Sequence, residues 1–255
     1  MDTKNGNTAS ASRVVVVTGA GTGIGRATAR AFARQGAAVV AVGRREAPLR
    51  ETAEGAPGIH PLVADITTEG AAEEIVRAAV RGHGRLDVLV NNAGIATGGP
   101  LGTLDRSVIG PLLETNIVAP LLLTQAAVPA LRESRGTVVN VSTTIGQRGW
   151  PSNSLYPATK SALETLTRSW ARELAPEGVR VVAVAPGAID TPIGEHMGLS
   201  PEQRAEVRAW QLAHTPLGRI GRPEEVAWAI TGLAAPEAGF LTGTVLPVDG
   251  GALVT

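Results

Sequence analysis

Short apolar runs separated by amphipathic stretches repeat along the chain. Residues 14–17 are four consecutive valines that close on Thr18-Gly19. An unbroken β-branched run of that length reads as a parallel strand buried on both faces. Over residues 23–35, Ile24, Ala27 and Ala31 share one face at three- and four-residue spacing, and Gly36 closes the segment as a helix-ending glycine does. Further strands are predicted at 39–42, 61–64, 86–90, 137–141, 179–184 and 244–248, and helices at 69–81, 154–175 and 223–234. Residues 104–131 are mostly helical in pattern, and Pro111, Pro120 and Pro129 are expected to break or bend that helix. Strand and helix alternating over the whole length predict an α/β fold, a doubly wound parallel sheet with helices on both faces. Residues 13–255 read as one domain behind a loose tail at 1–12, with no repeat and no linker. The longest irregular stretch, 187–222, holds one short helical segment near 201–213 and reads as a substrate loop or lid.

Composition narrows function more than fold. Of the 255 residues, 44 % are hydrophobic and 18 % charged, which suits a folded domain with a sizeable core. The formal net charge is +0, and no basic arm suggests a nucleic-acid partner. There are no cysteines, so disulfides, thiolate metal sites and cysteine nucleophiles are excluded. His60, His83, His196 and His214 show no ligand spacing and are expected on surface or loop, with no metal. Glu73-Glu74 and Glu224-Glu225 are expected to be solvated helix faces. A G-x-S-x-G elbow is absent, against a serine hydrolase. No apolar run reaches the ~18 residues that cross a bilayer, and the small polar start lacks a secretory pattern. The expectation is a cytoplasmic protein with no membrane partner.

Between the first strand and first helix lies Thr18-Gly19-Ala20-Gly21-Thr22-Gly23-Ile24-Gly25. A dinucleotide site needs glycine here because the turn is tight and the backbone must approach the pyrophosphate. The helix N-terminus then offers N–H groups and positive dipole to the phosphates. Gly19, Thr22, Gly23, Ile24 and Gly25 are the candidate contacts. The end of the second strand would meet the adenosine ribose, where a carboxylate favours NAD. Here the chain has Gly43-Arg44-Arg45. Two guanidiniums without a carboxylate suit the 2′-phosphate of NADP(H), so NADP(H) is favoured over NAD(H).

Tyr156 is the single tyrosine, and Lys160 is the only lysine besides Lys4; every other basic residue is arginine. The two stand four apart on one predicted helix and so share a face. A phenol normally titrates near 10, and a neighbouring ammonium is expected to lower it. Such a phenol can protonate an alkoxide or deprotonate an alcohol.

Taken together, these motifs resemble the short-chain dehydrogenase/reductase family in its simple one-domain, Rossmann-like form, nearest to its 3-oxoacyl and polyketide ketoreductase-like members. The resemblance runs from Arg13 onward. It rests on the glycine loop, Asn91-Asn92-Ala93-Gly94, Glu114-Thr115-Asn116, Tyr156-x3-Lys160, Pro186-Gly187 with Thr191, and Val248-Asp249-Gly250-Gly251. It implies that Tyr156 is the general acid/base and that Lys160 holds the nicotinamide ribose and lowers the tyrosine pKa. Asn116 would sit at a helix break and hold a water linking Lys160 to solvent. Asp65 and Ile66 would line the adenine, and Asn92, Ala93 and Gly94 the adenosine side. Pro186, Gly187, Ile189 and Thr191 would cover the nicotinamide. The family's substrate-binding serine falls on Thr143, which carries the same hydroxyl, with Ser142 next door as the alternative. Val182 replaces a common asparagine of structural role.

The implied activity is NADP(H)-dependent reduction of a ketone to a secondary alcohol on a mid-sized apolar metabolite, by a homotetramer. Pocket residues are expected within 95–101, 146–155 and 193–217, with Trp150, Leu155, Met197 and Trp210 as apolar walls. Two rivals are an NAD-dependent secondary alcohol dehydrogenase and a cofactor-binding sensor or scaffold without catalysis. The scaffold would be expected to lack the tyrosine or lysine.

Overall fold

A computed structural model describes residues 12–147, 153–197 and 199–254. Apart from Ser12, whose hydroxyl donates to the Gly36 carbonyl at 2.6 Å, the expected tail lies outside the described residues.

Seven strands form one parallel sheet in the order β3-β2-β1-β4-β5-β6-β7. They are β1 (Val14–Thr18), β2 (Ala38–Gly43), β3 (Ile59–Val63), β4 (Val88–Asn91), β5 (Thr137–Val141), β6 (Arg180–Pro186) and β7 (Val245–Val248). The helices are α1 (Gly23–Arg34), α2 (Glu46–Ala53), α3 (Ala71–His83), α4 (Arg106–Leu113), α5 (Ala119–Ser134), α6 (Leu155–Leu174), α7 (Ile193–His196), α8 (Pro201–Ala213) and α9 (Pro223–Leu233). The valine run of β1 shows why the sheet is covered twice. Val15 and Val17 join Phe32, Val226 and Ile230 under α1 and α9. Val14 and Val16 join Ile75, Leu123, Leu131 and Leu174 under α3, α5 and α6. Alternate side chains of a strand point to opposite faces, so both faces must be apolar. Prolines sit in the two edge strands, Pro61 in β3 and Pro247 in β7, where a missing N–H costs no interior ladder bond.

Three expectations change. The prolines of 104–131 do not interrupt the helix. Arg106–Ser134 runs on as α4, a π-helical stretch Glu114–Val118, and α5. Pro120 stands directly after the π stretch, where the ordinary i→i+4 ladder is already displaced and its lost N–H is absorbed. This 29-residue helix has a window of mean hydropathy 1.4 and is long and apolar enough to cross a membrane by length and composition. In the fold, Leu112, Asn116, Leu123, Ala127 and Leu131 are buried.

Second, 187–222 is less irregular than expected. It contains α7 and α8, and α8 begins on a capping box between Ser200 and Gln203. Third, Glu225 is not simply a solvated face. It takes the Arg219 guanidinium on both oxygens at 2.8 and 2.6 Å and the Arg222 N–H at 2.8 Å. These bonds hold its carboxyl down at about 2 and tie the end of the loop to α9. His60 is exposed on β3 and His83 is half-buried at the end of α3, with ring centroids 4.6 Å apart. Among the described residues, no group of three potential ligands forms a metal site.

Candidate active site

A cavity of about 860 Å³ opens at the C-terminal ends of the strands. The strand order reverses between β1 and β4, which is where open α/β sheets bind ligands. One end is the glycine loop. Gly19 and Gly23 have φ of +65° and +51°, a left-handed backbone that glycine adopts without strain. A Cβ on Gly25 would lie 2.2 Å from the Gly19 carbonyl oxygen, so the turn closes only on glycine. Thr22 caps α1 without a side-chain bond, and no acidic residue stands in the first turn. The opening N–H groups of α1 therefore face the cavity with donors to spare, which fits a pyrophosphate.

Two ties that the motifs did not announce hold this loop. Arg26 donates to the Gly21 carbonyl through Nε at 3.0 Å and Nη2 at 2.5 Å, and bridges to Glu51 on α2. Thr18 Oγ1 accepts from the N–H groups of Asn92 and Ala93, both at 3.0 Å, and donates to the Val90 carbonyl. Asn92 Nδ2 donates back to the Thr18 carbonyl at 2.7 Å. The Asn92-Ala93-Gly94 turn is thus stitched to β1, and all three residues line the cavity.

Arg44 and Arg45 stand exposed at the rim beyond β2, beside Asp65 and Ile66. Neither arginine has an ion-pair partner among the described residues. Burial works against the Asp65 carboxylate, but the Thr67 N–H and hydroxyl, with Arg44 nearby, hold its pKa below the usual range. Both Thr67 bonds go to Oδ1, and the two guanidiniums stand exposed at this end.

The other end gathers Thr143, Tyr156, Lys160, Pro186, Gly187, Ile189 and Thr191. Lys160 is buried and donates from Nζ to the Val141 carbonyl at 2.8 Å. A Cβ on Gly94 would stand 3.2 Å from Asn116 Oδ1 and 3.3 Å from Lys160 Nζ, so both groups converge over that glycine. Asn116 lies in the π stretch, as its expected position at a helix irregularity requires. Its amide is spent on the protein: Oδ1 accepts from Ile95 N–H at 3.0 Å, and Nδ2 donates to Ile95 O at 2.9 Å and Thr159 Oγ1 at 3.1 Å. The Asn116 oxygen keeps one lone pair for a further donor.

Ser142 and Thr143 are separated by their partners. Ser142 Oγ turns to α6, within bonding distance of Glu164 Oε1 at 2.8 Å and the Lys160 carbonyl at 3.3 Å. Thr143 Oγ1 donates to the Pro186 carbonyl at 3.2 Å. The Thr143 hydroxyl must leave that carbonyl to donate elsewhere, whereas Ser142 is held by a buried carboxylate. Val182 is fully buried in the sheet, in keeping with a structural position.

The expected lowering of the tyrosine is not what this geometry gives. Burial pushes the Tyr156 phenol up to about 12, and burial pushes Lys160 down to about 8. The ammonium points at the Val141 carbonyl, and desolvation of both groups dominates. A phenol so placed is protonated near neutral pH.

The substrate end is walled by Ile95, Ala96, Ile145, Met197, Leu199 and Trp210. Leu101 is exposed and does not line the cavity, nor does Leu155; Trp150 lies outside the described residues. Arg204, Arg208 and His214 of α8 and its cap also reach the cavity, which the apolar reading of that loop missed. Asp249, from the Val248-Asp249-Gly250-Gly251 motif, packs behind Gly187 of the cavity wall: a Cβ on Gly187 would meet Asp249 Cβ at 2.7 Å.

A glycine-lined helix start, a strand-end crevice and a tyrosine–lysine pair lining it point to a dinucleotide-dependent oxidoreductase. Known proteins agree. Residues 19–252 match the family described as enoyl-(acyl carrier protein) reductase. The chain is 39 % identical to 3-oxoacyl-[acyl-carrier-protein] reductase of Thermotoga maritima, over 95 % of this chain and 98 % of that one. It is 42 % identical to L-fucose dehydrogenase of Bos taurus, over 95 % and 90 %. A short-chain dehydrogenase/reductase of Caenorhabditis elegans solved with cofactor superposes with a TM-score of 0.89 at 32 % identity, covering 95 % and 96 %. The 3-ketoacyl-(acyl-carrier-protein) reductase of Brucella melitensis complexed with NADH gives 0.87 at 32 %, covering 94 % and 98 %. The chain belongs to the short-chain dehydrogenase/reductase family and is an NAD(P)-dependent oxidoreductase acting on a carbonyl or alcohol.

Proposed function

We propose that the protein is an NADP(H)-dependent reductase that converts a ketone on a mid-sized, largely apolar metabolite into a secondary alcohol. The observation that carries this reading is one cavity with Thr143, Tyr156 and Lys160 at one end and two open guanidiniums, Arg44 and Arg45, at the other. The α1 N–H groups, Gly19, Thr22, Gly23, Ile24 and Gly25 cradle the pyrophosphate. Asp65, Ile66, Asn92, Ala93 and Gly94 line the adenosine side, and Pro186, Gly187, Ile189 and Thr191 cover the nicotinamide. When bound, the cofactor supplies the hydride that the carbonyl carbon accepts.

The chain's own residues handle the oxygen. Thr143 turns from Pro186 and donates a hydrogen bond to the carbonyl, stabilising the charge that develops there. Tyr156 hands its phenolic proton to that oxygen. Lys160 holds the ribose hydroxyls, and its ammonium charge favours the phenolate left behind. Asn116, converging with Lys160 over Gly94, holds the water through which the proton is replaced.

Arg44 tests the cofactor half. Arg44→Ala is expected to weaken NADPH binding by about 10-fold or more, the worth of a charge-assisted phosphate contact, and NADH binding by less than about 2-fold. Equal losses for both cofactors in a fluorescence titration reject the NADP assignment. An NAD-dependent secondary alcohol dehydrogenase is the second reading. It is favoured by the dehydrogenases among the relatives, L-fucose dehydrogenase and cis-4-hydroxycyclohexanecarboxylate dehydrogenase of Sinomonas cyclohexanicum, and by the NADH complex of the Brucella enzyme.

Exposed apolar residues support assembly. Leu113 and Leu122 face outward on the long helix, as do Trp228 on α9 and Leu246 on β7. A homotetramer built through these faces is expected in light scattering, and a monomer at micromolar concentration contradicts it.

A further inference from the structure

We infer that Thr144 is a positioning residue for the reaction: its hydroxyl keeps the Pro186 carbonyl satisfied when Thr143 turns away to hold the substrate oxygen. This rests on the role given to Thr143 in the reductase reading. It adds the residue that lets Thr143 turn without leaving a buried acceptor bare.

Thr143, Thr144 and Pro186 are buried, and all three line the cavity. Thr143 Oγ1 donates to the Pro186 carbonyl at 3.2 Å, and Thr144 Oγ1 donates to the same oxygen at 3.4 Å. A carbonyl oxygen has two lone pairs and can accept both. Each contact is longer than the ~2.8 Å usual between a hydroxyl and an oxygen, so two donors share one acceptor and neither is tightly held. The Ile145 N–H donates to Thr143 Oγ1 at 3.4 Å. That bond engages the Thr143 oxygen and leaves its O–H as the part that swings. The hydroxyl has one proton, so Thr143 cannot serve Pro186 and the substrate at once. Without Thr144, the swing would strip the Pro186 oxygen of its hydroxyl donor, and an orphaned buried acceptor bears its full desolvation penalty. With Thr144, the second hydroxyl closes on the carbonyl as the first departs. The local fold places the pair: β5 ends at Val141, and Thr144 opens the 3-10 turn Thr144–Gln147. Ser142 cannot take over, because its hydroxyl is turned to Glu164.

The test follows NADPH oxidation with cyclohexanone, acetophenone, 2-octanone and 2-methylcyclohexanone, and compares kcat on the ketone that the wild type reduces fastest. Thr144→Val nearly keeps the side-chain shape and removes the donor. It is expected to lower kcat at least about 5-fold, the lower end of the cost of an orphaned buried acceptor. Thr144→Ala, which puts no methyl in place of the hydroxyl, repeats that loss, and Thr144→Ser stays within about 2-fold of wild type. Thr143→Val lowers kcat by about 10²-fold, as loss of a donor to a developing oxyanion does. In that background, adding Thr144→Val is expected to cost less than about 2-fold, because the carbonyl then lacks its hydroxyl donors both before and after the substrate binds. A merely structural Thr144, or one that touches the substrate itself, would lose activity equally in both backgrounds. Equal losses, a loss below about 5-fold in Thr144→Val, or no rescue by serine overturns the role of Thr144 and leaves the reductase reading standing. An unaltered kcat in Thr143→Val removes Thr143 from the substrate oxygen, and this inference with it. Failure of the wild type to reduce any of the four ketones removes the ketone-reductase reading itself.

Discussion

Tyr156→Phe lowers kcat for carbonyl reduction by about 10²- to 10⁴-fold, the range that a positioned general acid contributes, while NADPH affinity stays within about 2-fold. The ring survives the exchange and only the proton donor goes, so packing around α6 is kept. The pH dependence separates this role from a merely structural one. The phenol is held up at about 12, so the acid form needed for reduction is fully populated at neutral pH. The base form needed for alcohol oxidation is scarce and grows about tenfold per pH unit below that value. Oxidation of a secondary alcohol by the wild type is therefore expected to climb steadily from pH 7 to 10. Reduction does not climb, and it weakens as Lys160 loses its charge above about 8. In Tyr156→Phe, the climb in oxidation is expected to vanish. An unaltered kcat, or an oxidation rate that still climbs without the phenol, contradicts the assignment.

The second large effect lies at the other end of the cavity. Gly25→Ala places a methyl group 2.2 Å from the Gly19 carbonyl oxygen and 2.5 Å from Asn92 Nδ2. Neither can yield easily, because Gly19 is backbone and Asn92 is tied to β1 through the Thr18 carbonyl. The loop must open, and a displacement of about 1 Å in a positioning element can cost about 10²-fold. NADPH affinity is expected to fall by about that factor, with a lower melting temperature from overpacking. Gly36→Ala serves as the comparison: this glycine has a φ of +83°, unlike Gly25, and nothing lies within 4 Å of its would-be Cβ. It should lose some stability and keep cofactor affinity. Equal cofactor losses in the two variants would show that a general loss of stability, and not the close contact at Gly25, lowers the affinity.

What the chain revealed beforehand was local. Four valines in a row, a glycine cluster before an amphipathic segment, and a tyrosine four residues from a lysine are short-range patterns with a physical reading of their own. What escaped depends on residues far apart in sequence. α2 is eight residues long with Pro48 inside it, too short to announce itself by period. It exists because Leu49 is buried against the sheet and Arg26 reaches across to Glu51. Local propensity makes the prolines of the long helix points of a break or a bend, and the helix runs on through them with a π stretch around Asn116. What sets Ser142 apart from Thr143 is its contact with Glu164, twenty-two residues away. The tyrosine pKa was expected in the wrong direction because spacing gives the neighbour's charge but not the cost of burial.

The assignment at the centre of this account is a nicotinamide cofactor with a 2′-phosphate held at Arg44 and Arg45, delivered to Tyr156. The most direct test is a fluorescence titration of the purified protein with NADPH and, separately, with NADH. The account predicts NADPH binding at least about 10-fold tighter than NADH. Tighter binding of NADH, or binding of neither, contradicts it.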